Sequence, residues 1–240
     1  MSATNFKPGD IMELAVPAGG VTTGGVYVIG GFVGIATTTN ATAGARVNFI
    51  VKGVNTLPKT TGETWTEGQP LFWDATNSKL STDLTLGLPI GAVAAAAASA
   101  DTTGSVRMNG VSLCGRILNF RKRIPIATIN AGATLLAAIP GLKYRLCDAF
   151  AIAIGGAVTS NTTVDLKGTQ AAAAVKLVAW TQASLTQSTM VRAGGAGGTL
   201  LADGASFAPC DVNTALTIAN TGSAITVATN VDVEFTYSLE

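Results

Sequence analysis

Few residues in this chain have the types and spacing that chemistry needs. Histidine is absent, which removes the commonest general base, the usual Ser or Cys triad and most zinc sites. The three cysteines, Cys114, Cys147 and Cys210, are odd in number and widely spaced, the pattern of neither a disulfide framework nor a CxxC metal site. Buried thiols in a reducing compartment are expected instead, and neither Cys114 nor Cys210 sits in a motif that would activate a nucleophile. Glu63, Glu67 and Asp74 lie close together, as a glycosidase's carboxylate pair would. The segment around Glu63 and Glu67 is turn-rich and polar, however, so solvated loop carboxylates are the expectation. Gly194-Gly195-Ala196-Gly197-Gly198 would suit a phosphate cradle only with a strand before it and a helix after it. The strand-like Thr199-Leu200-Leu201 follows instead, which predicts a loop between strands. The expectation is a protein that catalyses nothing and takes no cofactor or metal.

Binding is the remaining chemistry. Residues 116–123 hold four of the fifteen basic side chains, Arg116, Arg121, Lys122 and Arg123, with Phe120 among them. This is the patch that could touch nucleic acid, yet Ile117, Leu118 and Phe120 look like strand positions facing a core. The four basic residues are therefore expected at an interdomain or partner contact. Phe72 and Trp73 are neighbours on a predicted strand and point to opposite faces, one to the core and one to a contact surface, with Trp73 taken as the contact residue. Asn40-Ala41-Thr42 and Asn161-Thr162-Thr163 match the glycosylation pattern, but by chance in a chain without a secretory signal.

Composition narrows the class of partner. Fifteen basic and fourteen acidic side chains give a net charge of +1, which supplies no long-range field to steer nucleic acid or an anionic membrane. Charged residues make up only 12% of the chain and hydrophobic ones 48%, much of it Ala. This predicts an interior with many small residues and a surface of Thr, Ser, Asn and Gly. Such a surface suits a protein packed against copies of itself and a partner lattice, because every unpaired charge buried at a contact is costly. MSATNFKPGD lacks the pattern of a signal peptide, and the longest apolar run, Leu88 to Ala100, is too short and Ala-rich to span a bilayer. Synthesis in a cytoplasm is expected.

The elements that position these residues read as short strands throughout. Thr4, Asn5, Phe6 and Lys7 belong to a polar arm before the Pro8-Gly9-Asp10 turn, able to pair with the open edge of a neighbour's sheet. Strands are expected over 11–16, in two pieces across 26–36 where glycines mark bulges or barrel corners, over 45–52, and from Gly53 to Pro58. From Trp65 to Met108 apolar runs alternate with turn chemistry: Pro70 opens Leu71-Phe72-Trp73, Asp74 to Asn77 makes a turn, and Pro89 starts Ile90 to Val93. The alanine run 92–98 has helical propensity but no helical apolar stripe, so a strand leading to a hairpin is expected. Beyond Gly110 the texture changes, and strands are expected near 124–129, 134–139, 143–154, 162–168, 176–180, 189–191, 215–220 and 231–237. The fold class is all-β: a small N-terminal β barrel in 1–110, a linker in 111–123, and a jelly-roll-like β sandwich in 124–240.

Pro8-Gly9-Asp10, the run PAGGVTTGG at 17–25, GVNTLPK at 53–59 and the stretch from Trp65 to Met108 resemble, in this order and spacing, the capsid-cement (head decoration) proteins of tailed bacteriophages. The resemblance covers the first 110 residues. It implies a virion protein that binds the outside of the major-capsid-protein lattice and bridges its subunits; Thr4, Asn5, Phe6, Lys7 and Trp73 are the residues expected to contact it. It also implies a homo-oligomer, a trimer or else a dimer, with no specific nucleic acid or membrane partner. The C-terminal half departs from the short cement proteins. A tail- or fibre-associated adhesin whose C-terminal sandwich binds a cell-surface glycan is the alternative.

Overall fold

The computed structural model describes residues 9–86, 88–110 and 115–240. The arm from Thr4 to Lys7 and the thiol of Cys114 lie outside the described residues. The protein is all-β apart from short helical turns, and the chain divides into two compact units, Met1–Leu113 and Cys114–Glu240.

The N-terminal unit contains β1 (Ile11–Ala15), β2 (Val26–Ile29), β3 (Phe32–Ala36), β4 (Arg46–Ile50), β5 (Lys52–Pro58), β6 (Pro70–Asp74), β7 (Lys79–Ser81), β8 (Pro89–Val93) and β9 (Thr103–Asn109). They form two antiparallel sheets, ordered β1-β4-β3-β2 and β5-β9-β8-β6-β7. Val51 alone separates β4 from β5, so the chain turns from one sheet into the other at a single buried residue. Alternation explains the burial: Val47 and Phe49 face inward from β4 while Arg46 and Asn48 are exposed. With Val16, Val21, Ala36 and Val51 they make one core cluster, where Tyr27 meets Phe49 edge-on at 6.4 Å between ring centres.

Two local expectations are corrected. Gly30 and Gly31, with φ of 54° and 86°, are neither bulges nor barrel corners. They are the whole loop of the β2–β3 hairpin, in which Ile29 pairs with Phe32, and a two-residue turn with both φ positive matches the twist of its strands. The alanine run is indeed not a helix, but β8 stops at Val93 and Ala94 to Ala96 are exposed in a bend, with Ala97 bridging to Trp65.

The C-terminal unit contains β10 (Ile117–Pro125), α1 (Ile126–Ala131), β11 (Ala133–Leu136), β12 (Tyr144–Ile154), β13 (Asn161–Gln170), β14 (Ala173–Thr181), β15 (Met190–Arg192), β16 (Gly198–Leu200), β17 (Leu216–Gly222) and β18 (Asn230–Leu239). One sheet is ordered β10-β18-β12-β15, the other β11-β17-β13-β14-β16. On β18, Val231, Val233, Phe235 and Tyr237 are buried while Asp232, Glu234 and Thr236 are half-exposed. On β12, the small residues Ala149, Ala151 and Ala153 face inward, as the composition leads one to expect. The largest fully buried side chains are nevertheless aromatic, Trp180, Tyr144, Phe120 and Phe235 among them. Phe120 stacks on Phe235 at 4.7 Å between ring centres.

Residues 117–123, expected as linker, belong instead to the nine-residue strand β10. Its register with β18 runs unbroken from Ile117↔Ser238 to Pro125↔Asn230. The strand expected over 124–129 gives way to α1, because Pro125 has no N–H with which to continue a ladder. Ile126 and Ile129, three apart, then bury one side of a helical turn.

Candidate functional site

The N-terminal unit is braced by a polar knot around a buried lysine. Lys59 is fully buried. Its ammonium donates to the carbonyls of Thr60 (3.0 Å) and Glu63 (2.5 Å) and lies 5.3 Å from the centre of the Trp65 ring. The Glu63 carboxylate accepts from Trp65 Nε1 (3.1 Å), from the Thr82 N–H (2.9 Å) and from the Ser81 hydroxyl. Carbonyl oxygens and a ring face thus meet the lysine charge, and Glu63 ties the 59–65 loop to the end of β7. Glu63 is accordingly not a solvated loop carboxylate. Asp74 is committed as well, accepting from the N–H groups of Thr76 (2.9 Å) and Asn77 (3.1 Å) and from Asn77 Nδ2 (2.7 Å) to cap its own turn. Glu67 stands exposed.

Trp73 is 5% exposed and Phe72 half-buried. The inward ring of the pair is therefore the tryptophan, contrary to its assignment as an open contact. It lines the floor of a recess of about 250 Å³ shared with Thr22, Gly24, Tyr27 and Pro58. The open features of this unit are its sheet ends. The edge strand β1 carries Ile11 at 50% exposure, and β5, whose chain bridges back to β7 just beyond Pro58 through Lys59 and Leu80, carries Val54 at 59%.

In the C-terminal unit the four basic residues fall into two kinds. Arg123 makes a bidentate pair with Asp232, Nε to Oδ1 at 2.7 Å and the second arm at 2.8 Å, and Arg121 reaches Glu234 at 3.6 Å. The Asp232 hydrogen bond holds the Arg123 guanidinium above its ordinary pKa, and the same bond keeps the Asp232 carboxyl below the usual carboxylate range. Arg116 and Lys122 are exposed with no ion pair among the described residues. Further along the same sheet Arg192 pairs with Asp148, which raises the arginine in turn. That pair rims a recess of about 250 Å³ with Phe150, Met190, Glu234 and Thr236. In the other sheet Asp165 is fully buried, 3.1 Å from Lys176 Nζ and accepting from the Thr221 hydroxyl at 2.5 Å.

Cys210 is buried, which pushes its thiol pKa up. Cys147 is only half-buried, because it is the extra residue of a bulge where the β12–β18 register shifts between Leu146 and Asp148. The glycines at 194–198 join β15 to β16, so a strand and not a helix follows them directly. Asn161 is buried, so its glycosylation pattern is closed to an enzyme. Among the described residues no group of His, Cys, Asp and Glu could hold a metal ion, and no helix is long and apolar enough to cross a membrane.

Sequence reasoning missed the Lys59 knot. Its one signal was position, since Lys59 ends the quoted run at 53–59, but lysine is among the residues least often fully buried.

These features define a β-rich protein with structural polar knots and open strand edges. The phage cement protein family matches residues 6–108, nearly the whole N-terminal unit, and bears out the resemblance stated for the first 110 residues. No curated protein matches the chain. Among solved structures, the infectious bursal disease virus Gt strain is similar at 12% identity over 96% of this chain and 70% of that one, with a TM-score of 0.26. The VP2 subviral particle of the same virus is similar at 11% identity over 95% and 69%, with a TM-score of 0.24. Likeness at that level does not define a shared fold.

Proposed function

We propose that this chain is a phage capsid cement protein that stiffens a shell without chemistry. The N-terminal unit, read as a small barrel, sits on the outside of the assembled major-capsid lattice and bridges neighbouring subunits. The C-terminal unit, read as a β sandwich, is displayed outward or used to trimerise. The cement-family match over residues 6–108 carries this reading.

The physical mechanism is multivalent clamping. Many interfaces, each of roughly 1,000 to 2,000 Å², resist separation of the capsomers together although none is strong alone. The exposed edges β1 and β5, with Ile11 and Val54 upon them, offer main-chain hydrogen bonds and small apolar contacts. The arm at Thr4, Asn5, Phe6 and Lys7 is taken as a further capsid contact, of the kind that pairs with the open edge of a neighbour's sheet. The Lys59 knot keeps the unit stiff enough to transmit load, because each of its buried polar groups has a partner and such networks rigidify a core. A homotrimer at the local three-fold points of the lattice is the preferred assembly and a dimer the other. Synthesis takes place in the host cytoplasm before assembly.

An adhesin reading of the C-terminal unit rests on the recess beside Asp148 and Arg192, where Phe150 and two carboxylates could meet a sugar ring and its hydroxyls. Glycan binding by the full chain, without affinity for capsids, would favour that alternative.

The test is to add purified protein to undecorated capsids of its own phage and heat them. The disruption temperature rises if the reading is right, whereas capsids equally labile with and without the protein reject it.

A further inference from the structure

We infer that the free edge of β10 is a docking site for an acidic, extended segment of another protein, and that Lys122 selects it. The inference does not rest on the cement reading, since β10 lies outside the residues matched to that family.

β10 stands at the end of its sheet, bonded to β18 along nine consecutive pairs and, among the described residues, to no strand on its other side. Along an antiparallel edge, alternate residues direct their N–H and C=O outward, so roughly four residues of β10 offer unpaired main-chain groups. An edge this long is a template for strand addition, and proteins often guard such edges with charge.

The side chains decide what can be added. Phe120 and Ile124 point inward and are 1% and 2% exposed. Lys122 lies between them on the same face by alternation, yet it is exposed and has no hydrogen bond or ion pair among the described residues. Arg121 and Arg123, on the other face, are already committed to Glu234 and Asp232. Lys122 is thus the uncompensated charge at the middle of the edge.

A strand laid along β10 brings its own side chains to about 4.5–5.5 Å from those of β10, Cβ to Cβ. An apolar residue beside Lys122 would strip water from an unpaired ammonium, which is costly. A second copy of β10 would set two Arg-Lys-Arg runs against each other, and facing like charges are destabilising. Glutamate or aspartate at that place meets the ammonium. Nucleic acid is disfavoured, because with Arg121 and Arg123 paired only Lys122 on the strand and Arg116 just before it remain for phosphates.

The test uses the full chain and two labelled nine-residue threonine-rich peptides, one with glutamate at its two central positions and one with lysine. Fluorescence anisotropy reads affinity and amide exchange reads protection over 117–125. The wild type should prefer the glutamate peptide by roughly tenfold, Lys122→Met should lose the preference, and Lys122→Glu should invert it. Lys122 is exposed, so both variants should fold, and native exchange in the peptide-free protein checks that they do. Absence of protection over 117–125, or a preference unchanged in Lys122→Glu, overturns the proposal. Displacement of the glutamate peptide by a twenty-nucleotide oligothymidine overturns it in favour of a phosphate-binding strip.

Discussion

Replacing Gly104 with alanine should weaken the N-terminal unit through one collision. A Cβ at Gly104 would lie 2.4 Å from Cζ3 and 2.7 Å from Cε3 of Trp65, where carbon atoms pack best at about 3.5–4.0 Å. The ring would have to retreat by about 1 Å, and it is 1% exposed, hydrogen-bonded through Nε1 to Glu63 and stacked against Lys59. Overpacking of this kind costs about 1–3 kcal/mol, and the close approach to backbone-fixed β9 places it at the upper end. Loss of the cation–π contact adds about 0.5–2 kcal/mol. Against this, alanine reduces the entropy of the unfolded chain by about 0.4–1 kcal/mol. The net effect is about 2.5–4.5 kcal/mol of destabilisation, which in a unit of about 100 residues lowers Tm by roughly 10–35 °C.

Because the two units need not unfold together, the assay is native-state amide exchange, with protection lost over 52–58 and 103–109 and retained over 144–154. Adding Trp65→Leu should recover part of the loss, since the smaller side chain makes room, and the cycle of single and double variants measures the coupling. A Gly104→Ala protein as protected as the wild type, or additive effects in the cycle, would refute the reasoning.

Two other predictions concern the C-terminal unit. Asp232 is held below the usual carboxylate range by Arg123, so its contribution is present at neutral pH and lost as the pH falls below about 4; Asp232→Asn should flatten that acid limb in an acid titration of folding, and an unchanged limb would count against the pair. Iodoacetamide should label half-buried Cys147 in the native protein and leave Cys210 unmodified until the chain unfolds, as peptide mapping would show; equal labelling of the two would contradict their assigned environments.

Much of the fold was legible because period-two alternation and turn residues are local signals. Val47 and Phe49 against Arg46 and Asn48, or the Asp74 to Asn77 turn, can be read without knowing their neighbours in space. What was misread depends on long-range contacts. Trp73 and Phe72 carry the same alternation whichever of them faces inward, and only the sheet partner decides. Residues 117–123 looked like a linker because their basic side chains resemble solvent-facing loop residues. Their partners, Asp232 and Glu234, lie more than a hundred positions later in the sequence. Pro125 reads as lying inside a strand over 124–129, because the apolar spacing of Ile126 and Ile129 serves a strand or a helical turn alike. The Lys59 knot left no local signal beyond its place at the end of the 53–59 run, because burial of a lysine is justified only by carbonyls and a ring that the fold brings to it.

The most direct measurement is a cryo-electron microscopy map of the mature particle of the phage that encodes this chain, compared with one lacking it. The account predicts density for residues 9–110 on the outer capsid surface, spanning neighbouring major-capsid subunits and absent from the deficient particle. A capsid surface identical in the two maps, with the chain located on the tail or off the particle altogether, would contradict it.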